Sequence, residues 1–175
     1  DGPLARYFDD VVDDEYAGEK TFEAAESRIL RDAYIKALEK SGKSAKDINI
    51  ILSGDLLNQC TAASYAFRDV DTPYLGLFGA CSTMSESLVI ASMMIDSGSV
   101  DYAVCAASSH FCSAERQFRF PLEYGSQRTP TAQWTVTGAG ALILGKEGQG
   151  PRITCITPGK IIDEGIKDSN NMGAA

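Results

Sequence analysis

The chain has 175 residues, 44% of them apolar, with 16 Gly and 6 Pro. That is enough for one globular domain with a sizeable core, and it excludes a disordered tail, a collagen repeat and a disulfide mini-protein. Asp and Glu number 24 against 16 Lys and Arg, a net charge of −8, so no nucleic-acid partner is expected, since neutralising phosphates takes a basic face. The longest apolar stretch, Leu88 to Ile95, is too short to cross a bilayer. No basic-then-apolar leader is present, and because the first residue is Asp1 rather than Met this says little about compartment. The five cysteines, Cys60, Cys81, Cys105, Cys112 and Cys155, are odd in number and lack CxxC spacing. Neither a disulfide framework nor a metal site is expected, and free thiols in a reducing compartment fit better.

In chain order, the first twenty residues are acidic and aromatic with no period, which predicts a loop or short irregular helix. Phe22, Ala25, Ile29, Ala33 and Ala37 then form a one-sided stripe, an amphipathic helix stopped by Gly42. Ser44 to Asp47 reads as a capping-box turn. Ile48 to Ser53 predicts a buried strand ended by Gly54 and Asp55, and Cys60 to Arg68 a helix. Tyr74 to Phe78 predicts a second buried strand. Ser85 to Ser97 predicts a helix apolar on most sides and therefore central. Asp101 to Ala107 predicts a third strand. Ser108 to Gln133 is aperiodic and reads as a long functional loop. Thr135 to Leu144 and Arg152 to Ile156 predict two more strands. The alternation predicts an α/β layered fold with a mostly parallel central sheet, whose sites lie at the carboxyl ends of the strands.

Three segments fall at those ends. Gly79-Ala80-Cys81-Ser82-Thr83 follows a strand and opens a helix. A thiol there meets unpaired N–H groups and the positive end of the helix dipole, which suits a nucleophile; a small residue at a crowded turn is an equal reading. His110, the single histidine, follows the third strand. It suits a base for Cys81 or a hydrogen bond to a bound acid, and a histidine anchoring its own loop is the alternative. Asp55 reads either as a polar pocket wall or as a helix cap. Arg116 and Arg119 stand one helical turn apart and suit carboxylate binding, although by spacing alone a solvated or ion-paired face is preferred. The run VTGAGALILG implies close backbone approach within a strand, and neither GxGxxG nor a Walker lysine is present.

Together, Cys81 in FGACSTMSESLVIAS and the glycine-rich strand TGAGALILG resemble the thiolase-like group of thiolases and ketoacyl synthases. GDLLNQ at Gly54 to Gln59, FGACST at Phe78 to Thr83, SSHFCSAERQFRFPLEYG at Ser108 to Gly125 and TVTGAGA at Thr135 to Ala141 resemble the stage V sporulation protein AD family more closely, across essentially the whole chain. That resemblance implies a thiolase-like fold in a non-catalytic protein that binds dipicolinic acid, free or as its calcium chelate, and helps load it into the developing spore. It implies no cofactor, other stage V sporulation proteins as partners, a homo-oligomer, and a place peripheral to the inner spore membrane. It further implies that residues 1–175 form the first half of a two-half fold, without that half's first strand, and that second-half catalytic partners are absent. Asp55, Cys81, Ser82, His110, Arg116 and Arg119 are the ligand residues expected on this reading. An acyl-transferring enzyme with Cys81 as nucleophile is the alternative.

Overall fold

A computed structural model describes residues 3–118 and 135–167, with backbone alone for 115–118. Helix α1, Phe22–Ser41, starts where the Thr21 hydroxyl accepts a hydrogen bond from the Ala24 N–H at 3.2 Å. It stops at Gly42, whose φ of 66° is the left-handed cap that glycine adopts without steric cost. Its buried line is Ala25, Glu26, Leu30 and Tyr34. The expected stripe of Ile29, Ala33 and Ala37 flanks that line, half-buried. The predicted capping box is present, with the Asp47 carboxylate accepting from both the N–H and the hydroxyl of Ser44 at 2.7 Å.

Among the described residues the sheet has four strands: β1, Ile50–Gly54; β2, Tyr74–Gly76; β3, Tyr102–Ser109; and β4, Gly138–Gly145. Their spatial order is β2-β1-β3-β4; β1 runs parallel to both β2 and β3, and β4 is antiparallel to β3. The mostly parallel sheet is therefore as expected. Strand β1 buries Ile51 toward one face and Leu52 toward the other; β3 does the same with Val104 and Cys105. Helices α1 and α2, Thr61–Phe67, cover the first face with Leu30, Tyr34, Ala63 and Phe67. Helix α3, Thr83–Asp96, covers the second with Ala91 and Ile95.

Four expectations need correction. Tyr74 to Phe78 is not a buried strand: among the described strands β2 lies at the sheet edge, paired with β1 alone, and Leu75 and Phe78 are exposed. Helix α3 is not enclosed: Thr83, Ser87, Ala91 and Ile95 form one buried line against β1 and β3, while Met93 is exposed on another face. Arg152 to Ile156 forms no strand, because no described strand pairs with it. Ser108 to Gln133 is not all loop: β3 runs through Ser109 and helix α4, Phe111–Phe118, follows it. Residues 119–134 lie outside the described part.

Because β1, β2 and β3 are parallel, Gly54, Gly76 and Ser109 end at the same side of the sheet. That brings the segments bearing Asp55, Cys81 and His110 to one end, as expected for this class of sheet.

Candidate functional site

Asp55 is buried, at 1% exposure. Its Oδ1 accepts from the Leu57 N–H and its Oδ2 from the Ala63 N–H, both at 2.7 Å. Ala63 is in the first turn of α2, so Asp55 caps that helix from outside it, across a loop with Gln59 and Cys60 at φ of 60° and 55°. Burial pushes its carboxyl up, and the N–H bonds from Ala63, Leu57 and Ala62 pull it back down. The helix-cap reading is the one this geometry matches. Asp55→Asn keeps the shape but loses one acceptor, and it is expected to cost about 2 kcal/mol in urea denaturation. An unchanged midpoint would show that water can replace the carboxylate here.

His110 is equally buried, at 1% exposure. Its Nε2 lies 2.9 Å from the Glu15 carbonyl, and its Nδ1 accepts from the Cys112 N–H at 3.2 Å. These partners assign the neutral Nε2–H tautomer and leave neither ring nitrogen for a ligand. The ring packs on Phe22 with centroids 5.0 Å apart, and Phe22 in turn stacks on Tyr16 at 4.5 Å. His110 thus pins the N-terminal segment and its own turn, the anchoring alternative. The Phe111 N–H donates to Thr137 Oγ1 at 2.9 Å, and the Ser109 hydroxyl donates to the Val136 carbonyl, tying the same turn to the approach of β4.

Cys81 is exposed, on a 3₁₀ turn, Ala80–Ser82, directly before α3. Ala80 takes φ of 46°, which a non-glycine residue rarely adopts. At Gly79 beside it, a Cβ would meet the Glu86 carboxylate and the Ser82 hydroxyl, side-chain ends that would have to turn aside. The sharp strand–turn–helix placement expected of Cys81 is present, next to an edge strand rather than a buried one. Ser82 Oγ donates to the Gly79 carbonyl at 2.7 Å, so that hydroxyl serves its own turn. The Glu86 carboxylate reaches back toward the helix N-terminus, the spot expected to attract an anionic ligand. Burial pushes the Cys60 thiol up, with the Asp55 carboxylate adding to it, and raises Cys105 to about 11. Both are reserved for packing, unlike the exposed Cys81. The described cysteines are all free, and no cluster of metal-ligating side chains forms among the described residues.

One residue at this end was not anticipated. Glu26, on the buried face of α1, has its carboxyl oxygens within hydrogen-bond distance of the Ser108 and Ser113 hydroxyls, each at 3.0 Å. Desolvation pushes its carboxyl up to about 7, opposed by the Ser108 bond and assisted by the Asp55 charge. The signal was in the sequence, a charged residue four after Phe22 and four before Leu30 on the apolar line of the helix. Arg116 lies in α4, where backbone alone is described, and Arg119 lies outside the described residues.

Compared with known protein families, the chain matches stage V sporulation protein AD over residues 1–175. It is 44% identical to the stage V sporulation protein AD of Bacillus subtilis (strain 168) along its whole length, and it spans 52% of that relative. The chain belongs to the stage V sporulation protein AD family. Members of this family are sporulation proteins, and this chain spans about half the length of the curated relative it matches. Its fold is thiolase-like. It is similar to the 3-oxoacyl-[acyl-carrier-protein] synthase III of Aquifex aeolicus VF5, with TM-score 0.54 at 19% identity, over 74% of this chain and 40% of that one. It is also similar to the synthase III of Thermus thermophilus, with TM-score 0.52 at 15% identity, over 71% of this chain and 38% of that one. No described helix of the chain is long and apolar enough to cross a membrane.

Proposed function

We propose that this chain is the N-terminal half of a non-catalytic, dipicolinate-binding sporulation protein that helps load the acid into the developing spore. The observation that carries the reading is family membership over all 175 residues, combined with a thiolase-like cysteine turn to which His110 brings no free nitrogen. A nucleophilic thiol needs a base or a lowered pKa, and His110, the single histidine, is committed to Glu15 and Cys112. Dipicolinate carries two carboxylates. Asp55, Glu26 and Glu86 are all acidic, so the positive charge must come from elsewhere, and Arg116 and Arg119 are our candidates for bidentate contact. Cys81 and Ser82 form the open rim of the site. The protein works at the inner spore membrane as a peripheral component, beside other stage V sporulation proteins, and as a homo-oligomer. Exposed Leu75 and Phe78 along the open edge of β2 support an assembling surface.

The alternative is acyl transfer from Cys81, favoured by its exposure at the start of α3. Calorimetric titration of the full-length protein with dipicolinate, with and without calcium, separates the two. A charge-assisted contact contributes about 1.5–3 kcal/mol, so Arg116→Ala or Arg119→Ala should weaken binding roughly tenfold or more. Unchanged affinity in both variants removes the arginines from the site. Thioester consumption that disappears in Cys81→Ala promotes the acyl-transfer reading instead.

A further inference from the structure

Glu26 occupies a position on α1 where an apolar side chain would pack, and it is 1% exposed. Its two oxygens meet hydroxyls from two other elements. Ser108, near the end of β3, lies 3.0 Å from Oε1; Ser113, in the first turn of α4, lies 3.0 Å from Oε2. Ser113 Oγ is also 3.1 Å from the His110 carbonyl oxygen. A hydroxyl has one hydrogen to donate. Were Glu26 a carboxylate, Ser113 would serve either Glu26 or His110. With Glu26 protonated, Glu26 donates to Ser113, Ser113 donates to the His110 carbonyl, and Ser108 donates to the remaining carboxyl oxygen. All three contacts are then hydrogen bonds together.

The surroundings favour the protonated form. Among the described residues, the charges acting on Glu26 are Asp55, after β1, and Glu23, on α1 itself, both anionic. Strand β4 has no titratable residue, and the one in α2 is the exposed Tyr65. Strand β3 presents Ser108 and α4 presents Ser113; Glu115 and Arg116 of α4 lie outside the described side chains. Burial is the largest influence, and it pushes the carboxyl up to about 7.

We propose that Glu26 is a proton-dependent clasp between α1 and α4: as a neutral acid it donates to Ser113 and leaves the Ser113 hydroxyl for the His110 carbonyl, whereas on release of its proton to solvent it takes the Ser113 hydroxyl, the His110 contact is given up, and the charge left buried between the helices loosens α4. Because Arg116 belongs to α4, a change in α4 reaches a candidate dipicolinate contact. That consequence rests on the dipicolinate reading, whereas the clasp itself does not.

The test is carbon-13 NMR titration of labelled glutamate carboxyls in the full-length protein, with hydrogen exchange of the amides of residues 111–118. One carboxyl should titrate near neutrality and be missing in Glu26→Gln. Protection of α4, corrected for intrinsic rates, should fall about tenfold or more as that carboxyl ionises. In Glu26→Gln, whose amide can donate to Ser113 at every pH, protection should stay level. Ser113→Ala removes a donor to the charged form, so the Glu26 midpoint should move upward and the fall in α4 protection should move to higher pH with it. A Glu26 carboxyl titrating at the ordinary value of about 4.3 overturns the proposal. So does pH-dependent protection that is the same in wild type and Glu26→Gln. Dipicolinate titrations at both pH extremes keep the two ideas apart: absent binding with the α4 response intact defeats the binding reading and leaves the clasp standing.

Discussion

Gly54→Ala is expected to be among the most damaging single substitutions in the described part of the chain. Gly54 closes β1, and a Cβ there would run into the backbone carbonyl of Leu77 and lie 3.1 Å from Thr83 Cγ2. That carbonyl has little room to give. The Leu77 N–H donates to the Ser53 carbonyl at 2.9 Å, and the Cys60 thiol donates to the Leu77 oxygen at 3.0 Å. Overpacking commonly costs about 1–3 kcal/mol, and an obstacle made of anchored backbone puts this site at the upper end, about 3 kcal/mol. Thermal denaturation should then show Tm lowered by roughly 6–12 °C. Gly138→Ala is the control: a Cβ there meets nothing within 4 Å, and the change is expected to stay within about 0.5 kcal/mol. Equal Tm values for the two variants would mean that β1 and the segment after β2 separate freely.

The second large effect is a pH dependence of stability centred on Glu26. Its folded-state pKa, about 7, lies above its ordinary 4.5, so the folded chain holds this proton more tightly than the unfolded one. Below 4.5 both states are protonated and Glu26 contributes no slope. Between 4.5 and about 7 the folded state binds more protons, so stability falls as pH rises; above about 7 the whole loss is in place. At 1.36 kcal/mol per pKa unit the loss is about 3 kcal/mol. Asp14 and Asp47 are shifted the other way by their N–H bonds, and Asp55 is raised by burial, so the wild-type curve alone mixes several groups. The difference between wild type and Glu26→Gln isolates the one of interest. Urea denaturation at a series of pH values should show the variant gaining relative stability through this window and levelling off above it. A difference that does not change with pH would show that Glu26 titrates alike in both states.

Much of the architecture could be read locally. Gly42 ends α1, Ser44 and Asp47 form their capping box, and short β-branched or small-residue runs mark β1 and β3. Each depends on residues within a turn or two of one another. The Cys81 turn was legible for the same reason, since small residues between a strand and a helix leave few alternatives. The weak points were also physical. The apolar runs of Tyr74–Phe78 and of α3 say that these residues tolerate burial, and the neighbours decide whether it occurs. Strand β2 has a partner on one side, and α3 has the sheet on one side, so each buries less than its composition permits.

The sequence by itself therefore determined the element order as far as β3, the parallel core of the sheet, the position of the cysteine turn and the family motifs that run along the chain. Tertiary structure decided what the polar residues at the sheet end do. Asp55 caps α2, and His110 spends both ring nitrogens on Glu15 and Cys112. Glu26 finds Ser108 and Ser113 at separations of 82 and 87 residues, and His110 finds Glu15 at 95. A buried polar group must be paired, but which partner satisfies it depends on where distant segments are brought by packing, and no local pattern of residues carries that information.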